Sequence, residues 1–189
     1  MARVFRAIAN RVYTMLYRHC FAHWGNGAHL GWTAMKLVGL KYISIGDGTY
    51  ISPGVQLTAW DSYNGTCFTP SIVIGKHCTI RNNAHITSIN SIRIGDNLLT
   101  GTNVLITDNS HGKPTRENMS LPPGMRPLHS KGPVVIGNNV WLGNNVCVLP
   151  GATIGDGAFI GANSVVTHDI PAYSVAAGIP AKVIKQVNG

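Results

Sequence analysis

From Ile136 the aliphatic positions recur at a fixed step of six: Ile136, Leu142, Val148, Ile154, Ile160 and Val166. Gly137, Gly143, Gly155 and Gly161 each follow one of them directly. A small or modest side chain (Val140, Val146, Ala152, Ala158, Ser164) stands four places after each of the first five. An amphipathic helix repeats its apolar residues at three and four, and a half-buried strand repeats them at two. Six fits neither. It fits a chain that makes a short strand, turns a corner and repeats, so that each aliphatic points into a narrow prism. The same phrase occurs earlier as Ile45, Ile51, Leu57, then Ile74, Ile80, Ile86, then Ile94, Thr100, Ile106, with Gly46, Gly75 and Gly95 in the matching places. The pattern predicts an all-β chain, a parallel β-helix over residues 41–172. Its glycines are expected to relieve the corners, where positive φ is required.

The repeat breaks twice. Residues 59–70 leave the frame with Trp60, Tyr63 and Phe68 around an Asn64-Gly65 turn signal. Those rings suit stacking on a sugar face, and equally a loop packed on itself. Residues 108–132 hold Asp108, His111, a polar stretch and Pro122-Pro-Gly-Met-Arg-Pro127. An irregular stretch this long inside a compact repeat is expected to bind or cover something.

Ahead of the repeat, Phe5, Ile8, Ala9, Val12, Leu16 and Cys20 recur at helical spacing. Arg3, Arg6, Arg11 and Arg18 lie among them, and no acidic residue precedes Asp47. This N-terminal segment, residues 1–40, is expected to be a helical cap on the open end of the solenoid or part of subunit packing. A basic amphipathic helix also suits peripheral contact with an anionic inner-membrane surface. No apolar run approaches the roughly 20 residues of a membrane span.

Composition narrows the class. Only 12% of the 189 residues are charged, against about 25% in an average domain, too few to coat a helical bundle. The net charge of +8 favours an anionic partner, yet no nucleic-acid motif accompanies it. Cys20, Cys67, Cys78 and Cys147 form no C-x-x-C pair. They read as reduced thiols of a cytoplasmic protein, with disulfides left open by spacing alone.

The run from Ile136 to Pro171, followed by the closing Ala177-Gly-Ile-Pro-Ala-Lys-Val-Ile184, resembles the hexapeptide-repeat acyltransferases, in particular the sugar O-acetyltransferases. The likeness extends over residues 41–185, with 173–189 as a closing segment. It implies a left-handed β-helix, a homotrimer with sites between subunits, and acetyl-CoA as cosubstrate. The implied reaction moves an acetyl group to a sugar hydroxyl in surface polysaccharide biosynthesis. His111 matches the family's catalytic histidine. A histidine, with an ordinary pKa near 6.5, suits the removal of a hydroxyl proton near neutral pH. The thioester already carries a good leaving group, and no G-x-S-x-G elbow is present.

The resemblance also implies acceptor contacts from Asn83 and His85. For the cofactor it implies Trp141, Gly143 and Asn144 near the thioester, with Ala162, Thr167 and His168 along the arm and diphosphate. Lys182 and Lys185 would then meet the phosphates. His168 stands where a lysine or arginine is usual. Asp108 is a candidate to orient His111. N-acetylation of an amino sugar or antibiotic is the nearest alternative. A zinc lyase of the γ-carbonic-anhydrase type and a non-catalytic scaffold are the alternatives from other classes. No histidine lies four or five residues from His111, and no metal ligands are assigned.

Overall fold

The structure, a computed structural model, describes residues 2–33 and 36–187. The aliphatics six apart fall on successive sides of a three-sided prism, one per side, and each recurs directly above its counterpart in the coil below. On the first face, strands from His23–Trp24 to Thr153–Ile154 pair in parallel. There Ile45, Ile74, Ile94, Ile136 and Ile154 stack in register. The second face runs from His29–Leu30 to Ser174–Ala177, and the third from Lys36–Val38 to Val165–Val166. Leu57, Ile86, Ile106, Val148 and Val166 form the column inside the third face. All three columns are buried and together make one continuous core.

The work expected of the glycines is divided between two residue types. The left-handed corners are shared between asparagines, among them Asn83, Asn103, Asn145 and Asn163, with φ of 60, 58, 59 and 59°, and glycines such as Gly48, Gly54 and Gly157, with φ of 66, 78 and 66°. Asparagine tolerates this region better than other side chains. Gly143, by contrast, has no positive φ; a Cβ there would meet the Ala162 backbone nitrogen at 2.6 Å. The glycine after each core aliphatic is therefore selected by the close passage of the next coil, not by backbone handedness.

The prism begins earlier than the six-residue phrase. His23–Trp24, His29–Leu30 and Lys36–Val38 make a complete coil that pairs with the one above it. The expected 1–40 cap segment thus divides into helix α1 (Ala2–Tyr17) and this first coil. The sequence hides that coil because Trp24 stands where the column above carries Ile45, and Leu37 follows Leu30 by a step longer than six.

Helix α1 does cap the open end, but with the opposite face from the one its apolar spacing suggested. Thr14 Oγ1 accepts from the Leu30 N–H at 2.9 Å and donates to the Leu30 carbonyl at 3.3 Å. Asn10 Oδ1 accepts from the Trp32 N–H at 2.8 Å. Tyr13 and Tyr17 pack on the core end. The free edge of the lowest strand on the second face is thereby satisfied by side chains. At the other end Lys182–Gln186 turns back antiparallel along Ser174–Ala177 and covers that edge. The four cysteines are free thiols.

Candidate active site

Both excursions leave from the same place, the end of the third face. After Gln56–Ala59 the chain forms a hairpin, Ser62–Tyr63 with Thr66–Cys67. Its turn is Asn64-Gly65, both at positive φ (46 and 79°), as a tight two-residue turn requires. After Leu105–Thr107 the second excursion forms its own ribbon, in which Ser110 faces His129 and His111 faces Leu128. A short helix, Arg116–Met119, capped by the Thr115 side chain, fills its tip. The two loops clasp: Tyr63 Oη and Asn64 Nδ2 each donate to the Gly124 carbonyl at 2.9 Å.

His111 stands at the root of this clasp. Its ring is exposed and meets the Tyr63 ring edge to face, with centroids 5.4 Å apart. One side of the imidazole is thus fixed by an aromatic wall while the rest stays open to a ligand. Tyr63 therefore belongs to the site, whereas Trp60 does not share its role: Lys36 Nζ lies over the Trp60 ring, 4.8 Å from its centre.

Asp108 does not orient His111. It is fully buried, and its carboxylate accepts from the Ser88 hydroxyl, the backbone N–H of Ile89 and Asn90, and the Asn109 amide. Those bonds anchor the corner from which the long loop departs. Asn83 also has other employment. Its Nδ2 donates to Asn103 Oδ1 at 3.2 Å, beginning a ladder that continues through Asn145 to Asn163.

His85 lies one coil below Leu105 on the third face, half-buried, with Nε2 3.1 Å from Thr58 Oγ1. Burial, and secondarily the charge of Lys36, hold its pKa below the ordinary 6.5. Lys36 and Thr58 went unnoticed in the sequence. Lys36 belongs to the first coil, which lacked the repeat signature, and nothing in linear spacing links it to His85.

The residues assigned to the cofactor occupy a different edge of the prism. Trp141, Gly143, Asn144 and Ala162 come together with Arg81 and Leu99 around an open groove of about 540 Å³ at the corner between the second and third faces. Trp141 meets Phe159 edge to face at 5.7 Å. Above it, the Gly178 N–H donates to Ser164 Oγ and the Val165 N–H donates to the Gly178 carbonyl. This brings the closing segment onto the same corner. Lys182 and Lys185 are exposed on the outermost strand. Thr167 and His168 bond to each other at 2.7 Å beyond the last strand of the third face. The structure therefore gathers four of the eight cofactor residues in one groove. It leaves the two lysines and the Thr167–His168 pair at separate places. Among the described residues no three His, Cys, Asp or Glu side chains converge as a metal site.

A three-faced prism built from six-residue units, with loops cast from one corner, defines a class of protein: the left-handed parallel β-helix of hexapeptide transferases. The bacterial transferase hexapeptide profile matches residues 133–168, and the hexapeptide repeat of succinyl-transferase matches 71–108. Galactoside O-acetyltransferase of Escherichia coli K12 is 34% identical over 153 residues, covering 81% of this chain and 68% of the relative. The chain belongs to the hexapeptide-repeat acyltransferase family. It is also 46% identical over 121 residues to the E. coli protein WbbJ, whose own assignment as a lipopolysaccharide biosynthesis O-acetyl transferase is provisional; that match covers 62% of this chain and 61% of WbbJ.

Among solved structures, the N-acyltransferase AntD of Bacillus cereus, in complex with dTDP and 3-hydroxybutyryl-CoA, superposes with a TM-score of 0.73. It does so at 17% identity, over 95% of this chain and 90% of that one, a likeness of fold. A hexapeptide-repeat acetyltransferase of Vibrio cholerae solved with acetyl coenzyme A is 26% identical. Its TM-score is 0.55, over 93% of this chain and 76% of that one.

Proposed function

We propose that the protein transfers an acetyl group from acetyl-CoA to a hydroxyl of a sugar, in the building of a surface polysaccharide, with His111 as general base. The observation that carries this reading is the placing of His111. It is an exposed imidazole fixed edge-on to Tyr63 at the root of two clasped loops. The kinship with galactoside O-acetyltransferase and WbbJ supports a hydroxyl acceptor and a glycan substrate.

In this reading His111 removes the proton as the sugar oxygen attacks the thioester carbonyl. Backbone N–H groups stabilise the developing oxyanion. The tetrahedral intermediate then collapses: the C–S bond breaks, and the thiolate leaves as CoA, taking the proton from the imidazolium. No acyl-enzyme forms. The groove beneath Trp141 suits a slender, partly apolar pantetheine arm. Lys182 and Lys185, exposed on the outermost strand of the second face, suit its phosphates.

The clasp and the groove lie on different corners of one prism, with the width of the third face between them. A homotrimer with parallel prism axes would set one corner of a subunit against another corner of its neighbour, and so join base and thioester. Calorimetric titration with acetyl-CoA, and separately with CoA, tests the cosubstrate; micromolar binding at one site per chain is expected. His111→Ala should keep that binding and lose about 10²–10⁴-fold in thiol release with a sugar acceptor. Unchanged turnover would remove His111 from the mechanism. Faster turnover with amino sugars than with their hydroxyl counterparts would favour N-acetylation.

A further inference from the structure

Helix α1 is turned inside out relative to an ordinary surface helix. Asn10, Tyr13, Thr14 and Tyr17 face the protein. Val4, Phe5, Ile8, Val12, Met15 and Leu16 face away from it, each between 52 and 67% exposed. At about 100° per residue these six fall within one arc of about 120°, opposite the docked residues. The apolar patch does not end with the helix. Trp32, 41% exposed, lies edge to face with Phe5 at 5.7 Å. Arg11 and Arg18 project along one margin of the arc and, with His19, His23 and His29, line the groove between helix and first coil. No acidic residue occurs before Asp47, and Asp47 is engaged with the Asn26 N–H and Lys76.

We propose that this face docks the protein on an anionic lipid bilayer, with the helix lying in the interfacial plane. Six apolar side chains with a tryptophan at the margin supply the inserted surface, and the arginines meet the lipid phosphates. Charge decides against a second copy as the occupant. Two such helices face to face would bring their arginines together with no carboxylate on either element. A bilayer offers the opposite sign and a greasy interior at once. The helix is too short to cross: among the described residues none is long and apolar enough. The helix axis therefore runs along the surface, and the prism stands with its first coil toward the membrane.

Flotation of the full chain with phosphatidylcholine vesicles, alone or with phosphatidylglycerol admixed, tests this. The protein should float with the anionic vesicles, weakly or not at all with the neutral ones, and less as salt is raised. Val12→Glu combined with Leu16→Glu should abolish flotation while leaving the melting temperature, oligomeric mass and acetyl-CoA binding unchanged. Because that pair sets two like charges four residues apart on the helix, Arg11→Gln with Arg18→Gln provides a milder variant. It should weaken binding to anionic vesicles by about 30-fold, roughly fivefold per cation. Three outcomes would overturn the proposal: no flotation under any composition, flotation indifferent to these substitutions, or a fall in oligomeric mass in Val12→Glu/Leu16→Glu. The last would give the face to a second copy.

Discussion

The surroundings of His85 lower its pKa: burial first, then the positive charge of Lys36. Its folded pKa lies below the unfolded value of about 6.5, so below that pH the unfolded chain binds more protons than the native one. Stability is complete above about pH 6.5 and declines as pH falls through the folded pKa. In thermal melts, His85→Gln is expected to flatten the decline on the acid side of pH 6.5 relative to the parent. An identical slope would assign the acid sensitivity to other groups. At a corner, Asn145 holds φ at 59° and both donates and accepts in the asparagine ladder. Asn145→Ala adds the cost of a left-handed alanine, about 1–2 kcal/mol, to the lost bonds. Asn145→Gly removes the conformational part. Denaturant titration should rank Asn145→Gly clearly above Asn145→Ala in stability; equal losses would mean that the ladder bonds, not the backbone, hold the corner.

Among the elements, the two loops depend on one carbonyl. Gly124 receives both Tyr63 and Asn64, so either bond alone, worth about 1 kcal/mol net, partly substitutes for the other. Tyr63→Phe should leave activity within a few fold, since the ring still walls His111. Tyr63→Phe with Asn64→Gly releases the clasp while keeping the turn residue able to hold positive φ. That double variant should be cleaved faster between residues 112 and 127 in limited proteolysis, with KM rising more than kcat falls. Resistance equal to the parent would show that the loop is held by its own ribbon. The root of the same loop rests on Asp108. Asp108→Ala leaves the buried N–H groups of Ile89 and Asn90 without an acceptor, at about 1–3 kcal/mol each. A destabilisation of about 3 kcal/mol by urea titration is expected, whatever happens to catalysis.

For the whole molecule, the base and the groove occupy different corners, so chemistry within one isolated chain would have to reach across a full face. Sedimentation equilibrium should give three times the 20.2 kDa chain mass, and dilution below the assembly range should extinguish acetyl transfer while the fold persists. Full specific activity in a monomer would defeat the inter-subunit site.

The step of six made the prism legible because most column positions are filled by an aliphatic that fits a narrow interior. That constraint repeats with the coil, and burial along Ile45 to Ile154 bears it out. His111 and the two loops were legible as departures from that rhythm. The first coil was not, because Trp24 and Leu37 satisfy the same packing without repeating the phrase. Sequence also established that α1 is amphipathic, since helical periodicity is a local property. Which of its faces turns inward was decided by the tertiary structure. The exposed edge of the His29–Leu30 strand needs hydrogen-bonding partners, and Thr14 and Asn10 supply them, where an apolar face would leave that edge unpaired. In the same way Asp108, Asn83 and Lys36 took their roles from neighbours a coil away in space and about twenty or more residues away in the chain, a distance that no local pattern encodes.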